Sequence, residues 1–212
     1  MIAQIRFALQ LYRHSGRWLA PLVVLMVWFL FAIENAPQSY DTLAALFPPF
    51  LAVGCWIAAS LGGVDDRHHR EMTAAAAGSR GRLHSARAAA SLTVCMCFAL
   101  LQSTYASLAL EQQGTATITV GLVCLATLFG ASALGVSIGS WLHAPLVLRR
   151  AVSLLTGFSA VVLIVLFSPV QDALKKLGNS EVAPAMVLAV CALGAAALAA
   201  IGSSIATERS SN

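Results

Sequence analysis

Charge is missing from six long stretches of this chain. No Asp, Glu, Lys, Arg or His falls within residues 18–33, 43–64, 88–110, 114–142, 151–167 or 182–206. Each stretch is near or above the length that crosses a hydrocarbon core of about 30 Å. A charge at the bilayer centre costs at least about 2.5–3.5 kcal/mol, so buried charges mark relays and ion pathways. Their absence excludes a proton relay at depth, and the lack of an intramembrane His pair excludes haem ligation there. A phosphate-binding P-loop needs Gly-Lys followed by Ser or Thr. The only lysines, Lys175 and Lys176, are followed by Lys and Leu. The chain therefore carries no ATP-binding motif, and any energy input must come from a partner. Its five cysteines (Cys55, Cys95, Cys97, Cys124 and Cys191) all lie inside apolar stretches. That placement implies no disulfide framework and reads as small apolar packing.

What is present is apolar. Hydrophobic residues make up 58% and charged residues 10% of 212, against about 45–50% and 25% in soluble domains. One all-α unit of six transmembrane helices fits this length, so residues 1–212 are expected to form a single transmembrane domain. Arginine is confined to the N-terminus (Arg6, Arg13, Arg17), the second loop (Arg67, Arg70, Arg80, Arg82, Arg87), the fourth loop (Arg149, Arg150) and the tail (Arg209). The opposite side carries only Lys175 and Lys176, among Glu34, Asp41, Glu111, Asp172 and Glu181. The positive-inside rule then makes both termini cytoplasmic, with Trp18 and Trp141 at the inner interface and Tyr40 near the outer one. The first apolar stretch is expected to be retained as a span. No good small-x-small cleavage site precedes Glu34, and Pro37 follows Ala36.

Residues 2–14 have the pattern of an amphipathic helix, within an interfacial segment 1–17. Ile2, Ile5, Leu9 and Tyr12 share one face, and Arg6, Gln10, Arg13 and Arg17 another. Such a helix lies in the membrane interface with its cations toward lipid headgroups. Pro48-Pro49 either begins the second helix or kinks it. The longest polar loop, residues 65–87, reads DDRHHREMTAAAAGSRGRLHSAR. Asp65 and Asp66 suit a helix start and Gly78 its end. With little apolar surface, such a helix is marginal alone and is expected to dock on another protein. Residues 168–181 are expected to hold a short external helix, opened by Pro169 and Asp172 and closed by Gly178. In the fourth stretch Ala131, Gly135 and Gly139 recur every four residues, a stripe that lets helices approach closely.

Three motifs invite chemistry and are better read structurally. Gly135-Val136-Ser137-Ile138-Gly139 matches G-x-S-x-G, which needs a strand-to-helix turn and a His base. Here it sits within an apolar helix, no His lies at depth, and no catalytic residue is assigned. Asp65 and His69 share a helix face, but Arg67 and Arg70 oppose a cation and nothing completes a tetrahedral set. Cys95 and Cys97 are two apart, so their side chains diverge on a helix and do not chelate copper. No metal site is assigned.

The order of these elements resembles the transmembrane subunits of type-2 ABC exporters. That family has an interfacial helix before the first span, six spans with both ends cytoplasmic, a coupling helix between spans two and three, and a short helix before span six. The likeness covers essentially the whole chain. Asp65, Asp66 and Glu71 stand where the family's coupling region is acidic, and Ala76-Ala77-Gly78-Ser79-Arg80 stands where its small-residue turn leads into span three. The family's usual Pro is absent there, and His68-His69 replaces its usual Gly.

The resemblance implies a permease subunit of an ATP-driven exporter in a bacterial cytoplasmic (inner) membrane, within a multi-subunit complex. It would pair with a second permease chain, identical or paralogous. Asp65, Asp66, Arg67, His68, His69, Arg70, Glu71, Met72 and Arg80 would dock on a cytoplasmic ATP-binding subunit, which holds the ATP and Mg2+. No cofactor belongs to this chain, and no nucleic acid is a partner; membrane lipids are. Transferred from the family, the translocation path would be lined by Phe29, Phe31, Phe50, Trp56, Phe158 and Phe167. With no fixed charge in the spans, the cargo is expected to be amphipathic or hydrophobic. The alternatives are a non-transporting membrane scaffold or assembly subunit, a haem-exporter B-type permease, and a secondary transporter, against which the uncharged interior argues.

Overall fold

The computed structural model describes residues 2–35, 39–62, 80–111 and 118–142. Among the described residues there are five helices and no strand: α1 (Ile2–His14), α2 (Leu19–Asn35), α3 (Ser39–Gly62), α4 (Arg80–Glu111) and α5 (Ile118–Leu142). Three segments are long and apolar enough to cross a membrane: Ala45–Gly62 in α3, Gly81–Tyr105 in α4 and Gly121–Ser140 in α5. Helix α2, at 17 residues, reaches that length only together with α1, and the pair is bent by 75°. The expected fifth and sixth spans (151–167, 182–206) and the helix at 168–181 lie outside the described residues.

The bend between α1 and α2 has a local cause. Gly16 takes φ +65°, the left-handed conformation that glycine adopts without penalty and that commonly ends a helix. The Ser15 amide donates to Leu11 O at 3.0 Å and the Gly16 amide to Arg13 O at 3.4 Å. Ser15 Oγ donates to Tyr12 O at 2.7 Å. These bonds satisfy the last carbonyls of α1. Helix α2 then starts afresh, with Pro21 in its first turn, where a missing N–H costs nothing.

Part of the apolar face of helix α1 packs against the protein. Ala8 and Tyr12 are buried in the protein core, and Ile5 and Leu9 pack against it. Ile2, placed by pattern on the same face, is 83% exposed. Proximity to α4 makes the difference, because a helix docked on protein has a narrower covered face than one lying on a bilayer.

Pro48 and Pro49 lie inside α3, not at its start; the helix runs through them from Ser39. Helix α4 begins at Arg80, so residues 80–87 are helical where the sequence reads as loop. Its 32 residues extend about 48 Å, well beyond a hydrocarbon core. The excess carries Arg82, His84 and Arg87, and the Ala- and Arg-rich run there favours continuing the helix.

Helices α3 and α5 form the centre, with α4 against both, α1 against α4 and α2 against α3. Phe47, Phe50, Leu46, Leu51, Ile57 and Leu128 are among the large fully buried side chains of the described residues. Helix α4 contributes differently. Above Leu83, its buried positions are Ala86, Ala90, Ser91, Cys95, Ala99, Gln102 and Ser103, while Leu100, Leu101 and Tyr105 face outward.

Candidate functional site

Among the described residues, α3 and α5 approach so closely that backbone meets backbone. A Cβ placed on Gly135 would lie 2.8 Å from the backbone nitrogen of Cys55 and closer still to the carbonyl oxygen of Leu51. One placed on Gly139 would lie 2.8 Å from Ala58 Cβ and would also meet the carbonyl oxygen of Cys55. From the other side, a Cβ on Gly54 would reach the Ser132 backbone, with Cα at 3.0 Å. Ala131 is fully buried in the same core. Backbone therefore meets backbone, and only residues without a side chain fit. Gly54 is the partner that sequence reasoning missed. Its signal was available: a glycine in the middle of an apolar helix, four residues before Ala58.

Within this contact the G-x-S-x-G serine is spent on its own helix. Ser137 is buried and its Oγ donates to Ala133 O at 2.9 Å. The other buried serines do the same: Ser91 to Arg87 O, Ser103 to Leu100 O, Ser132 to Leu128 O and Ser140 to Ser137 O. Such back-bonding hides a hydroxyl in an apolar interior, and it fits Ser137 for packing rather than nucleophilic attack. Cys55, Cys95 and Cys124 are free and buried, and Cys97 is free and exposed. Among the described residues, no group of three or more His, Cys, Asp or Glu side chains could hold a metal.

The aromatic residues expected along a path divide into two sets. Phe29 and Phe50 are buried in the core, while Phe31 and Trp56 are 57% and 40% exposed. Phe29 meets Tyr105 of α4 edge-on, with ring centroids 5.0 Å apart. The structure thus does not gather the four onto one surface. Phe158 and Phe167 lie outside the described residues. So do Asp65, Asp66, Arg67, His68, His69, Arg70, Glu71 and Met72, while Arg80 is the first residue of α4.

No protein-family model, curated protein or solved structure matches this chain. Its function must therefore be argued from its own residues.

At the junction of α1 with the bundle, Tyr12 is 2% exposed. Burial pushes its phenol above the ordinary range, a shift that nearby Ser60 and Arg17 partly offset. Ser60 is a neighbour rather than a partner: its Oγ donates to Ile57 O at 2.9 Å, and the Tyr12 hydroxyl makes no hydrogen bond. Tyr12 holds α1 by packing.

Proposed function

We propose that this chain is the permease subunit of an ATP-driven exporter, in which two permease chains form the path and separate cytoplasmic subunits bind ATP and Mg2+. The observation that carries the reading is the 75° turn from α1 into α2. If α2 stands across the bilayer, α1 lies close to the membrane plane, as an interfacial helix before a first span must. The apolar helices α2 to α5 follow in the order such a subunit needs, with the polar segment 65–79 between α3 and α4. On this reading both termini are cytoplasmic, the membrane is the bacterial cytoplasmic one, and six spans are completed by residues 151–167 and 182–206.

The chain has no means of its own to hydrolyse ATP, so it acts by moving. Residues Asp65–Met72 and Arg80 receive the push of the ATPase, and the helices move as bodies between two states. The tight α3–α5 contact favours motion of that pair as one block, because backbone packed against backbone cannot slide without first separating. The same rigidity favours a second reading, a membrane scaffold or assembly subunit whose packed core is its purpose.

A mild-detergent pull-down of the tagged chain from its native membranes separates the two. The exporter reading expects a stoichiometric soluble subunit with a P-loop, and ATPase activity that changes when Asp65, Asp66 and Arg70 are charge-reversed. Recovery with other membrane proteins and no ATPase supports the scaffold. Unchanged partner binding after the charge reversals removes the coupling role from this segment.

A further inference from the structure

Helix α1 carries three kinds of surface around one axis. Ala8 and Tyr12 are buried against the bundle, with Ile5 and Leu9 packed beside them. Arg6 and Arg13 are exposed. Seven residues apart, they stand about 20° from each other around the helix and about 10 Å from each other along it. Phe7 is 50% exposed, about 100° round from Arg6 on the side away from Tyr12. Half-buried Leu11 lies beyond it, while exposed Gln10 and Ala3 fill the space between Phe7 and the arginines. His14, also exposed, ends the helix on the Phe7 side. An amphipathic helix alone on a bilayer needs two faces. This one has three, roughly evenly spaced: protein, cation and apolar.

The position of α1 decides what its cations can meet. No acidic residue occurs in the first 33 residues of the chain, nor in the first turn of α4, the helix on which α1 packs. Only residues 15–18 separate α1 from the apolar helix α2, and the turn between the two is 75°. If α2 crosses the bilayer, α1 is held at its surface. There an outward arginine meets the headgroup layer, and an outward phenylalanine meets the acyl chains.

We propose that this outer face of α1 binds anionic phospholipids, with Arg6 and Arg13 on phosphodiester headgroups and Phe7 among the acyl chains beside them. A guanidinium grips a phosphate through two N–H groups at once. The separation of the two arginines lets each take its own headgroup. A zwitterionic headgroup brings a cation of its own and gains less from them. An acidic protein segment would match the arginines and leave the exposed Phe7 ring unmatched. This surface does not depend on the exporter reading; it needs only a first helix held at a membrane.

Photo-cross-linking of the full chain tests it, with p-benzoylphenylalanine in place of Phe7, in nanodiscs of equal phosphatidylglycerol and phosphatidylcholine with matched acyl chains. Mass spectrometry of the α1 peptide reads which lipid is attached. Phosphatidylglycerol adducts are expected to exceed phosphatidylcholine adducts, and the ratio to fall about fivefold with each of Arg6→Gln and Arg13→Gln. High salt lowers it too, as screening requires. Arg6→Lys and Arg13→Lys keep the charge and most of the preference. All four changes are on the exposed side of α1 and leave its packed face intact. If the Phe7 substitution does not fold, the same label in place of Gln10 gives the reading. Equal adducts of the two lipids without any arginine change overturn the proposal. So does a ratio that the glutamine variants leave unchanged, or that the lysine variants lower as far as the glutamine ones. A cross-link to protein alone assigns this face to a protein contact and overturns the proposal as well.

Discussion

The indole Nε1 of Trp28 donates to the backbone carbonyl of Ala45 at 3.1 Å, and Ala45 is the residue whose helical donor Pro49 removes. In an uninterrupted helix the amide four residues on would bond this carbonyl. Proline has no N–H to give. A side chain from α2 thus fills a gap in the backbone ladder of α3, and the two helices are tied where α3 is weakest.

Removing that donor has a cost that depends on the proline. Trp28→Phe is expected to destabilise the protein by about 1 kcal/mol, in line with interhelical hydrogen bonds in membranes. In a Pro49→Ala background, where an amide returns to Ala45, the same substitution loses only its packing. A double-mutant cycle on thermal unfolding reads the difference. Equal effects in both backgrounds refute the link between Trp28 and Pro49.

A methyl at Gly135 has nowhere to go. Its neighbours are the backbone of Leu51 and Cys55, which cannot rotate away as a side chain can. Gly135→Ala should cost about 1–3 kcal/mol by overpacking. It should also lower disulfide cross-linking between cysteines introduced on facing positions of α3 and α5. Gly16→Ala is the control. Nothing lies within 4 Å of its Cβ, so it pays only for its positive φ, about 1 kcal/mol, and leaves the α3–α5 cross-link intact.

Alkaline pH should loosen α1. The Tyr12 phenol is held neutral by burial, with its pKa raised in the folded protein. Once undocked, it ionises at its ordinary value near 10. Below that value the group adds nothing to the pH dependence. Above it the undocked state releases a proton that the docked state keeps, so stability falls with rising pH. Unfolding from pH 8 to 11.5 should show wild type losing more stability than Tyr12→Phe above pH 10, and parallel curves below it. Parallel curves throughout would remove Tyr12 from the docking contact.

Ser137 should be inert to serine-directed fluorophosphonates, because its hydroxyl is buried and already donated to Ala133. Labelling that disappears in Ser137→Ala would reopen the catalytic reading.

Much of the architecture was legible without coordinates because hydrocarbon imposes simple rules. Uncharged runs long enough to cross a bilayer become helices, since every backbone group must be satisfied within its own segment. The start and end of α1 followed from its periodicity. The small-residue spacing of Ala131, Gly135 and Gly139 marked a face able to pack closely, though not the helix that it would meet.

Which faces turn inward was decided by the tertiary structure. In α4 the apolar residues circle the helix, so no amphipathic stripe points to a core. Its Ala86, Ala90, Ala99, Cys95 and Gln102 are buried and its leucines at 100 and 101 exposed, because lipid accepts large apolar side chains as readily as protein does while close helix contact needs small ones. The same reasoning explains α3. Its two prolines could begin a helix or interrupt one, and local sequence is silent on the choice. The helix runs through them, and the Trp28 indole supplies the donor that Pro49 withholds from the Ala45 carbonyl. Sequence alone determined that this chain belongs among helices in an apolar solvent. Only folding decided which residues meet, because in that solvent packing geometry and unsatisfied hydrogen bonds, rather than hydrophobicity, distinguish one arrangement from another.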